Sequence, residues 1–150
     1  MILQAACPHC GAANRIPPGR EAADGRCGKC GLSLGLSSVI EADDVSLRRH
    51  LDKTKGLLIL DVWAPWCGPC QLMAPHFERA AAQLGRQARF LKLNSDTSSL
   101  ASELGVRSIP SLILFQNGRE IARRAGLTPF DQLSGWILSH SGVGGAAGAA

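Results

Sequence analysis

The chain has 150 residues, of which 45% are hydrophobic, and its formal net charge is +4 at pH 7. This length suits one domain with an appendage, and the apolar fraction is large enough to form a core. Because the positive charge is mild and no segment approaches the roughly 18 apolar residues of a membrane-spanning helix, we expect neither nucleic acid nor membrane as a partner.

The start of the chain bears on its location. The first six residues have neither the basic nor the apolar region of a secretory signal peptide, so we expect a cytoplasmic protein. In that compartment paired cysteines bind metals or take part in catalysis more often than they form structural bridges. The spacing of the six cysteines divides them into two groups with different predicted roles.

The first group predicts a metal site. Cys7 and Cys10 are followed, after sixteen intervening residues, by Cys27 and Cys30. This spacing allows four sulfurs to bind one tetrahedral Zn²⁺, either as a structural ion or as a redox sensor. We predict that residues 1–36 form a zinc-ribbon-like segment with a linker, since so small an apolar core needs the ion for stability. Two redox pairs or two local disulfides are the alternatives.

Residues 37–141 are predicted to form the main domain, which begins with a strand at Val39-Ile40. Asp43 or Asp44 then caps a helix that extends to about Lys53. The histidines of this domain show no partner pattern, and we expect solvated side chains at His50, His76 and His140.

The second group of cysteines lies between a strand and a helix. Leu57–Trp63 is a short apolar run typical of a buried strand, and residues 72–84 repeat apolar side chains at helical spacing. Between them stands Trp66-Cys67-Gly68-Pro69-Cys70. Cys67 lies at the predicted helix start, where unpaired N–H groups and the helix dipole favour a thiolate. Cys70 lies one turn deeper and can close a disulfide with Cys67.

The remaining elements follow in order. Ala88–Asn94 predicts a third strand, and residues 96–99 offer caps for a short helix that Gly105 ends. Asn117-Gly118 between two apolar runs predicts an antiparallel hairpin. Pro129 opens a last helix, and residues 142–150 are predicted to form a flexible Gly/Ala tail.

These motifs resemble the thioredoxin family in order and spacing. The matching residues are Trp63-Ala64-Pro65-Trp66-Cys67-Gly68-Pro69-Cys70, Pro75, Lys92-Leu93-Asn94, Ile109-Pro110-Ser111, Asn117-Gly118 and Gly126. With the four-cysteine segment in front, the chain resembles the zinc-containing bacterial thioredoxins of the thioredoxin 2 type. The resemblance implies an α/β thioredoxin fold: a mixed central sheet with helices on both faces, preceded by the zinc-ribbon-like segment.

The resemblance also implies a cis Ile109-Pro110 bond against the redox pair, although an ordinary strand-entry proline is the alternative. Gly68-Pro69 stiffens the loop and accompanies strongly reducing pairs in this family. The residues implied to dock the substrate are Trp63, Trp66, Ile109 and Gly126. The two tryptophans could instead be plain core aromatics.

Asp61 is the predicted base for Cys70. It is a carboxylate inside an apolar strand, and burial there would raise its pKa towards a useful range. The alternative is an aspartate that faces solvent at a strand end. The resemblance suggests that Lys92 lies near Asp61 and tunes its titration, although a surface lysine is nearly as good an interpretation.

The predicted function is reduction of protein disulfides by a monomer with no tightly bound organic cofactor. The partners implied are disulfide-containing proteins and an NADPH-dependent thioredoxin reductase. An oxidase or isomerase is the first alternative, which the reduction potential would separate. A second alternative makes the zinc segment a binding module for proteins or nucleic acid.

Overall fold

A computed structural model describes residues 1–17 and 25–141. The tail predicted over residues 142–150 lies outside the described residues. Within the described part, no helix is both long enough and apolar enough to cross a membrane. The elements in chain order are β1 (Gln4–Ala6), β2 (Ala13–Arg15), β3 (Ile40–Ala42), α1 (Asp44–Lys53), β4 (Leu57–Trp63), α2 (Gly68–Leu84), β5 (Ala88–Asn94), a 3₁₀ turn (Ser95–Thr97), α3 (Leu100–Glu103), β6 (Ser111–Gln116), β7 (Arg119–Ala125) and α4 (Phe130–Ser139).

The central sheet has the strand order β3-β5-β4-β6-β7. Strands β3, β5 and β4 are parallel, whereas β6 and β7 form the predicted antiparallel hairpin at one edge. Helices α2 and α4 pack on one face of the sheet, and α1 and α3 pack on the other. Strand β4 is therefore covered on both faces, which explains why its sequence is a continuous apolar run. The predicted mixed sheet with helices on both faces is confirmed.

The N-terminal segment is docked on this domain. Its two short strands, β1 and β2, pair antiparallel. Backbone hydrogen bonds join Leu3 N–H to the Lys55 carbonyl at 2.8 Å and Lys55 N–H to the Gln4 carbonyl at 2.9 Å. The stretch after Cys30, expected to be a linker, is packed: Leu34 and Leu36 are buried in a small core shared with Cys7 and Cys27.

The predicted caps of α1 and α3 are present, and a residue distant in sequence adds to the second. Asp43 caps α1, and its carboxylate accepts from Ser46 N–H at 2.8 Å. Ser99 precedes α3 and forms no side-chain cap, but the Ser98 hydroxyl accepts from Ala101 N–H at 3.1 Å, as expected of residues 96–99. Asp44 supplies further bonds, because it accepts from Ser99 N–H at 2.9 Å and from Leu100 N–H at 3.4 Å. This cap comes from a helix distant in sequence.

The expectation of solvated histidines is wrong. His50 is buried, and its pKa is lowered to about 4 by burial and, next, by the charge of Arg89. His76 is half-buried, and its Nδ1 accepts from Phe130 N–H at 3.1 Å. The His140 ring packs edge-on against Trp136, with ring centres 6.0 Å apart. The partners of His50 and His76 come from other elements, so no local pattern indicates them. Trp136 and His140 stand at i, i+4 helical spacing, which is a local signal of their contact.

Replacing Gly118 with Ala should destabilise the fold more than replacing Gly105 with Ala. Both glycines have positive φ, +82° and +74°, so both variants carry roughly 1 kcal/mol of left-handed strain. A Cβ at Gly118 would also lie 2.5 Å from the Leu51 carbonyl oxygen, whereas at Gly105 it would meet nothing within 4 Å. We expect losses in urea unfolding of about 2–4 kcal/mol for Gly118→Ala and about 1 kcal/mol for the control. Equal losses would contradict this contact.

Candidate redox site and candidate metal centre

Cys67 and Cys70 lie at the start of α2 and are joined by a disulfide, with their Cα atoms 5.2 Å apart. Cys67 is the N-cap residue, and its Sγ accepts a hydrogen bond from Cys70 N–H at 3.2 Å. Pro69 stands in the first turn, where a missing N–H removes no helical hydrogen bond. In the reduced state the same N–H and the positive end of the helix would stabilise a thiolate on Cys67.

The loop that carries the cis bond lies against this pair. The Ile109-Pro110 peptide is cis, which confirms the bond implied by the resemblance. The Ile109 carbonyl oxygen lies 3.9 Å from the Sγ of Cys67. Gly126 N–H donates to the Pro110 carbonyl at 2.8 Å, so the turn after β7 is tied to the same loop. The structure therefore brings Ile109 against Cys67 and ties Gly126 to the adjacent Pro110.

Trp63 and Trp66 occupy different environments. Trp66 is 70% exposed, and its Nε1 donates to both carboxylate oxygens of Asp96 at 3.1 and 3.0 Å. Trp63 is half-buried and packs, as Ile109 does, against the buried cluster of Ala64, Cys67 and Cys70. The sequence indicates Asp96 only as a helix cap, and the 3₁₀ turn after β5 brings it beside Trp66.

Asp61 is 3% exposed, and its Oδ1 has no hydrogen-bond partner among the described residues. Burial raises the pKa of Asp61 to about 7, although the positive charge of Lys92 acts in the opposite direction. Asp61 and Cys70 line one small cavity of about 90 Å³. A carboxyl group whose pKa is raised to about 7 thus lines the same cavity as the deeper cysteine.

Lys92 stands next to Asp61, because the two residues are partners in the parallel register of β4 and β5. The Lys92 Nζ lies 3.3 Å from a carboxylate oxygen of Glu41 and 4.5 Å from the centre of the Trp63 ring. Lys92 also lines the cavity that contains Asp61. The arrangement places a positive charge where it can favour the ionised form of Asp61.

The four N-terminal cysteines converge on one point. Their sulfur atoms all lie within 4.8 Å of one another. The Cys7 and Cys30 sulfurs are 3.7 Å apart, and the Cys10 and Cys27 sulfurs are 3.6 Å apart. Four sulfurs at about 2.3 Å from a tetrahedral zinc ion would be separated by roughly 3.8 Å. The residues present therefore fit this ion.

Asn14 is a residue of this centre that the motif spacing did not indicate. Its side-chain amide donates to the Cys27 sulfur at 3.4 Å and accepts from Gly28 N–H at 2.9 Å. Hydrogen bonds from the backbone of Cys30 and from Asn14 lower the pKa of Cys27 to about 6. Both donors favour the thiolate form that a metal ion requires.

Comparison with known proteins agrees with this geometry. The family model described as Thioredoxin matches residues 38–139, and the model described as Thioredoxin 2, N-terminal, matches residues 6–32. The chain is 34% identical to Thioredoxin C-3 of Corynebacterium nephridii over 132 residues, covering 87% of this chain and 90% of that protein. It is also 34% identical to Thioredoxin of Haemophilus influenzae, covering 70% of this chain and 99% of that protein.

The solved structure of a mutant thioredoxin from Halobacterium salinarum superposes with a TM-score of 0.65 at 31% identity. The match covers 70% of this chain and 92% of that one. The fold expected from the sequence is therefore also found among solved relatives.

The variant Asp61→Asn should stabilise the disulfide form in a pH-dependent way. Burial raises the folded-state pKa of Asp61 from its ordinary value of 3.8 to about 7, so the wild type loses stability as the pH rises through that window. At about 1.4 kcal/mol per pKa unit, we expect Asp61→Asn to gain up to about 4 kcal/mol at about pH 8, and almost none of this near pH 3.

Urea unfolding at the two pH values measures this difference, and Asp52→Asn, an exposed aspartate on α1, is the matched control. A gain from Asp61→Asn that is the same at both pH values would exclude a buried, proton-holding carboxyl group.

Proposed function

Because the chain belongs to the thioredoxin family and is a protein-disulfide reductase, we propose that Cys67 attacks the substrate disulfide and that Cys70 completes the exchange. The observation that carries this assignment is the hydrogen bond from Cys70 N–H to the Cys67 sulfur at the start of α2. It singles out Cys67 as the sulfur whose anion the helix stabilises, and a thiolate is the nucleophile in disulfide exchange.

The proposed reaction has two exchanges. The Cys67 thiolate attacks one sulfur of the substrate disulfide, so that a mixed disulfide forms and the other substrate sulfur leaves as a thiolate. Cys70 then gives up its proton and attacks the Cys67 sulfur, which releases the second substrate thiolate. Two electrons pass to the substrate, and Cys67 and Cys70 are left as a disulfide.

Asp61 is the proposed acceptor of the Cys70 proton. Its raised pKa matches a base that works near neutral pH, and it lines the same cavity as Cys70. The cavity is wide enough to admit a water molecule, through which the proton can pass. Lys92 would keep the pKa of Asp61 from rising further, because the positive charge of Lys92 favours the carboxylate form of Asp61.

The proposed docking surface surrounds Cys67. Trp66 offers an exposed aromatic face held in place by Asp96, and Trp63 packs against the pair. An extended substrate segment would pair with the backbone at Ile109 and around Gly126. The position of a Cβ at Gly126 meets no atom within 4 Å, which leaves this side open to a ligand.

We also propose that Cys7, Cys10, Cys27 and Cys30 hold one Zn²⁺ ion. When bound, the ion supplies structural cross-linking of residues 1–36, and the sulfur separations support this assignment. Oxidation of these thiolates would release the ion, so the same site could serve as a redox sensor. Residues 37–141 are proposed as the redox domain.

The electron donor, the compartment and the substrates are proposed from the disulfide-exchange reaction. A dithiol that is consumed as a reductant needs a constant electron supply, for which we propose an NADPH-dependent thioredoxin reductase in the cytoplasm. The proposed substrates are proteins that carry accessible disulfides. A monomer is proposed because the docking surface must remain free.

Serine substitutions at the two redox cysteines should block disulfide reduction at different steps. Cys67→Ser lacks the nucleophile, so we expect no measurable reduction of insulin disulfides with dithiothreitol. Cys70→Ser keeps the nucleophile but lacks the resolving sulfur, so it should accumulate a mixed disulfide with the substrate. Non-reducing electrophoresis separates the two results. A mixed disulfide formed by Cys67→Ser and not by Cys70→Ser would reverse the assignment.

Metal analysis tests the zinc site independently. Reduced wild type should retain about one zinc ion per chain, and Cys27→Ser should retain little, because a tetrahedral site loses one of its four ligands. Cys70→Ser is the matched control, since it removes a cysteine outside the cluster and should retain the ion. Zinc loss of the same size in both variants would contradict the proposed ligand set.

A further inference from the structure

Arg89 on β5 is the largest side chain among those of the described residues that are fully buried, with an exposure of 0%. A guanidinium group does not release its proton near neutral pH, so it remains charged even in a protein interior. A buried carboxyl group, in contrast, can become neutral by binding a proton. Burial of such a charge is costly unless hydrogen bonds and an opposite charge compensate it. The position of Arg89 therefore needs an explanation that the redox mechanism does not provide.

The guanidinium reaches from the central sheet into the N-terminal segment. Its Nη1 donates to the Gly35 carbonyl at 3.0 Å, and its Nη2 donates to the Ala6 carbonyl at 3.3 Å. Ala6 directly precedes Cys7, and Gly35 lies between the two leucines packed in the core of that segment. One side chain of the redox domain thus joins both ends of the cysteine-bearing segment.

The opposite charge is not a carboxylate. Among residues 1–17 and 25–141, no aspartate or glutamate forms an ion pair with Arg89. The neighbouring His50 is neutral at pH 7 and cannot supply a negative charge. The ionisable group beside the contacts of Arg89 is Cys7, because Nη2 bonds to the carbonyl of the residue directly before it. Four thiolates around one Zn²⁺ carry a net charge of about −2, so the loaded cluster has negative charge to share.

We propose that Arg89 is the buried counter-charge of the metal-loaded cysteine cluster, and that it couples metal retention to the packing of the N-terminal segment on the redox domain. This inference rests on the proposed zinc site. Arg89 is a positioning residue, since it contacts the backbone beside a ligand and not the ion. Its positive charge stabilises the thiolates when the ion is bound, and the loaded cluster in turn offsets the burial of the guanidinium.

The decisive comparison is between Arg89→Met and Arg89→Lys in the reduced full-length chain. Zinc affinity is measured by competition with a chromophoric chelator at neutral pH. We expect Arg89→Met to weaken zinc binding by roughly 10- to 100-fold, the usual loss when a partner of a metal ligand is removed. Arg89→Lys keeps the charge and should bind zinc more tightly than Arg89→Met. A side chain that only fills space would give the reverse order, because Met suits an apolar interior better than Lys.

The matched control is Arg26→Met. Arg26 also donates to a carbonyl beside a cysteine, from its Nη1 to Gly31 at 3.2 Å, but it is exposed. We expect this variant to keep zinc affinity within about twofold of wild type, because water screens an exposed charge. If Arg89→Met does not fold, Arg89→Gln gives the same comparison with Arg89→Lys.

The outcomes separate this inference from the function on which it rests. A wild type that retains no zinc would overturn the proposed metal site itself. A wild type that retains zinc while Arg89→Met or Arg89→Gln binds it as tightly as Arg89→Lys would overturn the role of Arg89 alone. Equal losses in Arg89→Met and Arg26→Met would also overturn it.

Discussion

The hydrogen bond from Cys70 N–H to the Cys67 sulfur is the interaction on which the redox site depends. It exists because β4 ends at Trp63 and α2 begins at Gly68, which leaves Cys67 as the N-cap residue. Helix N-termini have unpaired donors, and a cysteine there presents a sulfur to them. The rest of the domain holds this junction still, since the buried β4 strand lies between two apolar helix layers.

Two buried ionisable groups on neighbouring strands respond to burial in different ways. Burial disfavours the charge of Asp61 on β4 and the charge of Arg89 on β5. Asp61 can become neutral by holding a proton, and this property suits a base beside Cys70. Burial lowers the pKa of Arg89 only to about 10, so this side chain stays charged at neutral pH and needs an opposite charge nearby. Asp61 is therefore suited to proton transfer, and Arg89 is suited to holding the N-terminal segment on the redox domain.

Much of the fold could be predicted because its signals are local. The apolar run of β4, the Asn117-Gly118 turn and the cysteine spacings each depend on residues close in sequence. The contacts that were not predicted have a shared cause. Asp44 caps α3 and His50 is buried beside Arg89, and both arrangements join elements that lie far apart along the chain. The packing of Leu34 and Leu36 is missed for the same reason, since glycine and serine around them indicate a linker.

The sequence by itself determined the strand-to-helix position of Cys67, the four-cysteine pattern and the unusual placement of a carboxylate at Asp61 inside an apolar strand. These follow from residue type and spacing, which set backbone preference and hydrophobic periodicity within one element. Only the tertiary structure decided that Asp96 holds Trp66 and that Arg89 reaches the Ala6 carbonyl. Desolvation and long-range hydrogen bonding act between elements after they pack, so no local pattern in the chain records them.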